Sequence, residues 1–182
     1  MRNLVHIFDG LELASPLGAS RASWVDMSLQ SLVDINAAII RGVSHALPGL
    51  RNHSVSIGNQ RVLLPQSDEV PHLLGRYVAW LNAAVKAIVA AQELDPHKLV
   101  AQAVGLACDA HTRFVHIHPF SDGNGRLARI LSGLVLKTFR LPAPMFTKER
   151  REEYIHAVGA ATVNGSYVSL CKLHAEAIKR SF

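Results

Sequence analysis

His118-Pro119-Phe120-Ser121-Asp122-Gly123-Asn124-Gly125-Arg126 lies between two apolar, helix-periodic stretches of a 182-residue chain. Ahead of it, Leu99, Val100, Ala103, Leu106, Ala107, Ala110 and Phe114 recur at helical spacing behind Asp95-Pro96. That pair is a start signal: an N-cap residue with proline at the first helical position. The helix must stop before Pro119, because the residue preceding a proline is pushed out of helical geometry. Beyond the glycines, Leu127 to about Arg140 resumes a strongly apolar helix. The nine residues therefore read as a loop between two helices.

As a loop, the run assembles a particular chemistry. Gly123, Asn124 and Gly125 stand just ahead of the second helix, where glycines let several N–H groups turn toward one anion. The helix N-terminus adds unpaired N–H groups and a partial positive charge. Arg126, in the first turn, can fork onto phosphate oxygens. Asp122 sets a hard carboxylate beside them, as a magnesium ion shared with phosphates requires. His118 can accept a proton near neutral pH. Taken singly, each has a plainer reading: His118 as a structural residue, Gly-Asn-Gly as a turn, Asp122 as an N-cap, Arg126 as a solvated charge. Together they make the set that in-line attack of a hydroxyl on phosphorus needs.

Outward from the loop, Met27 to Gly42 fits a helix with one buried face, and Pro48-Gly49 marks a turn. Val55, Ile57, Val62 and Leu64 flank Gly58-Asn59-Gln60 as a short β-hairpin ending at Pro65. Ser67 or Asp68 is expected to cap a long helix to about Gln92, with Pro71 in its first turn. Helices over about Lys148–Ala161 and Ser166–Ser181 complete the chain. Residues 1–27 are a poorly patterned N-terminal extension, and 28–182 are one domain without repeats or linkers. The fold class is all-α, a helical bundle with a hairpin.

At 49% hydrophobic and 18% charged the composition is that of an ordinary globular domain. Lys and Arg outnumber Asp and Glu by 19 to 14. That excess suits an anionic ligand such as a nucleotide, while no basic stripe interleaved with aromatics points to nucleic acid. Cys108 and Cys171 lie in apolar helical segments and read as buried thiols, not a disulfide framework. The N-terminus lacks the parts of a signal peptide, so a cytoplasmic location is expected, with export by a specialised machine left open. No run of about 18 uninterrupted apolar residues suggests a membrane span.

The run resembles the signature of the Fic family, His-Pro-Phe-x-Asp/Glu-Gly-Asn-Gly/Lys-Arg, at every constrained position. Ala110-His111-x-x-Phe114-Val115-x-Ile117 is similar to the family's lead-in helix, and Gly125-Arg126-Leu127-Ala128-Arg129 to its exit helix. The resemblance covers roughly Leu29 to the C-terminus and implies a Fic-like helical bundle with a short β-hairpin flap. It implies transfer of AMP from ATP to a Tyr, Thr or Ser hydroxyl of a target protein, with release of pyrophosphate. His118 would be the general base and Asp122 the Mg²⁺ ligand. Gly123, Asn124 and Gly125 would form the anion hole, Arg126 would bind phosphate, and Arg129 would reach the γ-phosphate. The flap near Val55–Leu64 would dock the target by strand addition.

Gly125 matters to the reaction type. The branch that carries Lys at this place, resembling the Doc toxin, transfers phosphoryl instead. Two departures from the family pattern stand out. None of Glu12, Glu69, Glu93, Glu149, Glu152, Glu153 or Glu176 has Ser or Thr four residues earlier, so the inhibitory Ser/Thr-x-x-x-Glu pattern is missing. Inhibition by a separate antitoxin-like protein is the resulting expectation. Where many relatives place Tyr-Tyr and then Asn against the adenosine, this chain has Tyr154-Ile155 and Thr162. UMP, GMP or phosphoryl transfer, and a non-catalytic binding module with the same fold, are the alternative readings. His111 is expected to pack or hydrogen-bond near the loop, and His116 to lie on the surface.

Overall fold

The computed structural model describes residues 24–43, 46–56, 63–91 and 95–180, and holds six α-helices within them. They are α1 (Leu29–Ile39), α2 (Val70–Ala90), α3 (Pro96–Ile117), α4 (Asn124–Thr138), α5 (Arg151–Asn164) and α6 (Val168–Lys179). A single 3₁₀ turn, Lys148–Arg150, leads into α5. The expected all-α architecture is the one observed.

Local chemistry sets the helix ends. Ser28 and Ser31 exchange side-chain-to-backbone hydrogen bonds at 3.0 and 3.3 Å, a capping box that starts α1. Asp95 accepts from the His97 N–H at 3.4 Å, and Pro96 takes the first helical position of α3. At α2 the expected cap at Ser67 or Asp68 is not used. Glu69 instead turns its carboxylate back to the Gln66 N–H at 2.8 Å, which holds 67–69 as a turn and delays the helix to Val70. Helix α4 starts three residues before the expected Leu127, because only Gly123 has to leave helical geometry.

Helix α3 is the hub, packed against α2, α4, α5 and α6, while α1 lies across α2 and α4. Its expected apolar face is buried, and so are Val104, Cys108, His111, Thr112 and Val115 on other sides. A helix packed by others on most sides keeps only a narrow solvent face, here Arg113 and His116, to mark its periodicity. Helix α2 is long and apolar enough to cross a bilayer by length and composition, but Val70, Leu74, Tyr77, Leu81 and Val85 pack into this core.

Segment 24–27 is stitched to α2 through Asn82 and by an exposed ion pair between Asp26 and Lys86 at 2.6 Å. Asn82 accepts from Trp24 Nε1 (3.0 Å) and the Met27 N–H (2.9 Å), and donates to the Met27 carbonyl (2.8 Å). The remainder of the expected N-terminal extension lies outside the described residues. The expected hairpin near Val55–Leu64 is not seen as such: residues 57–62, its turn and inner arms, lie outside the described residues. Its flanks 54–56 and 63–66 carry no strand. The isolated β-bridge among the described residues joins Leu50 to Phe120 instead, antiparallel.

Candidate active site

Between α3 and α4 the chain turns on two left-handed residues. His118, with φ 48° and ψ 58°, ends α3, and Gly123, with φ 85°, caps the start of α4. A non-glycine residue in that region costs roughly 1–3 kcal/mol, so surrounding contacts must hold it there. They come from both directions. The Phe120 side chain is fully buried against Phe114, ring centroids 6.3 Å apart. Asn124 grips the Phe120 backbone twice, accepting from its N–H at 3.0 Å and donating to its carbonyl at 2.8 Å. From outside the loop, the Arg51 N–H bonds the Pro119 carbonyl at 2.9 Å, and Ser121 Oγ accepts from the Leu47 N–H at 2.9 Å.

The His118 ring is mostly buried, and Nδ1 stands 3.1 Å from the Val115 carbonyl. A carbonyl only accepts, so Nδ1 carries the proton and Nε2 keeps its lone pair. Burial pulls the imidazole pKa below its ordinary value, and the nearby Arg51 charge adds to that. The hydrogen bond to Val115 acts against both. The ring is thus held neutral near pH 7 with its basic nitrogen unused by Val115.

Beside it lies the anion cradle. The first intrahelical bond of α4 runs from the Leu127 N–H to the Gly123 carbonyl at 2.9 Å. The N–H groups of Asn124, Gly125 and Arg126 therefore precede any intrahelical acceptor. With Asn124 only 3% exposed and its side chain spent on Phe120, Asn124 can serve an anion through its backbone alone. Arg126 and Asp122 form an ion pair at 3.0 Å, with 41% and 34% of their side chains exposed, and Arg126 also donates to the Ile39 carbonyl at 3.1 Å. Arg129, one turn on, reaches the Tyr154 hydroxyl at 3.4 Å and stands 5.4 Å from the centre of that ring. Arg126 and Arg129 border a cleft of about 830 Å³ along α4.

A magnesium ion is compatible with this donor set. Asp122 offers a hard, part-exposed carboxylate at the mouth of the cradle. Mg²⁺ in phosphate sites is usually held by one or two carboxylates plus phosphate oxygens and water. Among the described residues no cluster of three His, Cys, Asp or Glu forms a complete protein cage.

Other sequence candidates fall away from the cradle. His116 is exposed, Cys108 and Cys171 are buried free thiols, and His111 packs behind Tyr154 with Nε2 2.6 Å from its hydroxyl. Two residues of the site carried no sequence signal. Asn36, 1% exposed on α1, donates to the Asp122 carbonyl at 2.9 Å. Arg51, 4% exposed, donates to four main-chain carbonyls around His118. Both are lone polar residues outside any motif, and only tertiary contact gives them meaning.

Comparison with known proteins bears on the family and the fold. The Fic/DOC family model matches residues 26–136. A curated relative, Protein adenylyltransferase Fic of Drosophila melanogaster, is 28% identical over 149 residues, covering 81% of this chain and 27% of the relative. The chain thus spans about a quarter of the length of such relatives. Among solved structures, Fic-1 of C. elegans superposes with a TM-score of 0.68 at 23% identity, covering 86% of this chain and 42% of that one. A Fic domain containing signaling protein from Bacteroides thetaiotaomicron gives 0.66 at 21% identity, covering 85% and 60%.

Proposed function

The chain belongs to the Fic/DOC family, and from that premise we propose that it is a protein adenylyltransferase, moving AMP from ATP to a Tyr, Thr or Ser hydroxyl of a target protein. One observation carries the reading: His118 presents a neutral ring with Nε2 unprotonated beside a helix N-terminus that bears Arg126 and Arg129. His118 Nε2 takes the proton of the target hydroxyl as its oxygen attacks the α-phosphorus. The new O–P bond forms, the bond from the α-phosphorus to the bridging oxygen breaks, and pyrophosphate leaves with that electron pair. The backbone N–H groups of Asn124, Gly125 and Arg126 receive the charge that develops on the phosphate oxygens. Asp122 would hold Mg²⁺, which when bound neutralises charge on the α- and β-phosphates.

Gly125 favours nucleotidyl over phosphoryl transfer. A Cβ built there would sit 3.7 Å from the Arg129 guanidinium, an ordinary contact distance, so a cationic side chain at this position would set like charge beside the arginine proposed to serve the ATP tail. The target would dock by strand addition near Val55–Leu64. Arg129 has no carboxylate partner among the described residues, its polar contact being Tyr154. That leaves the arginine accessible to an acidic side chain from a separate antitoxin-like inhibitor.

The deciding experiment incubates the chain with Mg²⁺ and ATP labelled at the α- or the γ-phosphate, beside His118→Ala, and follows covalent label on lysate proteins. The α-label should be transferred and should vanish in the variant. Transfer of γ-label alone would make the chain a kinase, and no transfer from any nucleoside triphosphate would make it a binding module.

A further inference from the structure

The Arg51 guanidinium is buried among carbonyl oxygens. Nε donates to the His118 carbonyl at 2.7 Å, and Nη2 to those of Pro65 at 2.7 Å and Ile117 at 3.4 Å. Nη1 donates to the His53 carbonyl at 3.1 Å. The Ile117 and His118 carbonyls belong to the end of α3, where helix geometry leaves carbonyls without intrahelical donors and gathers partial negative charge. A buried cation there is balanced by dipoles. Capping alone would not need the rest of the fork, for His53 and Pro65 belong to two separate stretches of chain.

We infer that Arg51 is a positioning residue for His118: one buried guanidinium fixes the Ile117 and His118 carbonyls against those of His53 and Pro65, and so holds His118 in its left-handed conformation with the ring turned to Val115. This rests on His118 being the general base. With φ at 48°, His118 lies where non-glycine residues go only when over-determined, and its carbonyl accepts from Arg51 Nε at 2.7 Å. The planar fork reaches separate acceptors at once, whereas a lysine carries its donors on a single atom. Arg51 also bonds Pro119 through its own N–H, so backbone and side chain of one residue bracket the His118-Pro119 step.

The test uses the full chain, as wild type, Arg51→Lys and Arg51→Gln, with ¹⁵N-labelled histidine. In the wild type the His118 ring should show a protonated Nδ1 and a bare Nε2 at about pH 8. In both variants, with far-UV circular dichroism retained, the ring should shift to the mixed-tautomer pattern of an unrestrained imidazole. The kcat for label transfer should fall about 10²-fold, the cost of misplacing a catalytic group by an ångström, with the donor KM unchanged. Folded variants that keep the wild-type ring pattern would overturn the inference. So would loss of the helical signal in both, which would make Arg51 a structural residue only. A shifted ring pattern in the variants, beside a wild type that labels nothing, would leave the positioning standing and sink adenylyl transfer.

Discussion

The Tyr154 hydroxyl stands 2.6 Å from Nε2 of His111, and the same oxygen lies 3.4 Å from Nη1 of Arg129. A buried imidazole therefore anchors a phenol that steadies an arginine bordering the cleft along α4. Tyr154→Phe keeps the ring under Arg129 and removes the shared oxygen. Leaving His111 Nε2 buried and unpaired should cost about 1–3 kcal/mol of stability. ATP affinity should drop while AMP affinity stays, because Arg129 is read as serving the far end of the triphosphate. Titration calorimetry with the two nucleotides checks this, and equal losses for both would refute the division.

Gly123→Ala should damage the cradle more than its one carbon suggests. The residue sits at φ 85°, and an added Cβ would come within 2.7 Å of Asn36 Nδ2 and 3.2 Å of Ile39 and Ile40. Asn36 would have to give up the Asp122 carbonyl, and the backbone would strain as well. Destabilisation of about 2–3 kcal/mol, summing left-handed strain and a lost buried hydrogen bond, is expected in urea unfolding. A variant as stable as the parent would show that α1 yields freely.

What could be read from sequence was what local chemistry dictates. Asp95-Pro96, the stop before Pro119 and Gly123 each act through their own backbone, so α3, the loop and the presence of α4 were legible. The start of α2 was not, because Glu69 out-competes Ser67 and Asp68 by reaching back to Gln66, a choice between neighbours of similar capacity. Arg51 and Asn36 were invisible for another reason. Their partners lie 67 and 86 positions away, and nothing in their own surroundings announces that. The direction of the Asn124 side chain was hidden likewise, since the motif names the residue and only the fold shows it turned to Phe120.

Donor choice should be broad. Ile155, which the family resemblance sets where a tyrosine is expected against the base, is 39% exposed, and the Thr162 hydroxyl donates to the Val158 carbonyl at 2.8 Å. An aliphatic contact cannot distinguish bases as a hydrogen-bonding pocket can. ATP, GTP, CTP and UTP should therefore be used within about tenfold of one another in kcat/KM. Ile155→Tyr should strengthen purine binding, since base–aromatic stacking contributes roughly 1–3 kcal/mol. Strict ATP use by the parent chain would mean that other residues read the base.

Acid should unfold the chain through its two core histidines. His174 is fully buried, its Nδ1 donating to the Leu170 carbonyl at 2.9 Å, and burial brings its pKa from 6.5 down to about 4. His111 faces it, ring centroids 6.0 Å apart, and is driven well below 6.5 by burial, then by His174 and Arg129. Both are neutral when folded, whereas the unfolded chain takes up their protons as pH falls through 6.5. The unfolded state binds more protons below that point, so stability rises with pH there. It is complete above the unfolded value and is lost on acidification until the folded pKa is reached. For His174 the window from 6.5 to about 4 corresponds to about 3 kcal/mol at 1.36 kcal/mol per unit. Urea midpoints measured across this range should fall steeply with acid, and less steeply in His174→Leu, which removes one of the proton sites; His118, also lowered by burial, adds in the same direction. An unchanged slope in that variant would place the acid sensitivity elsewhere.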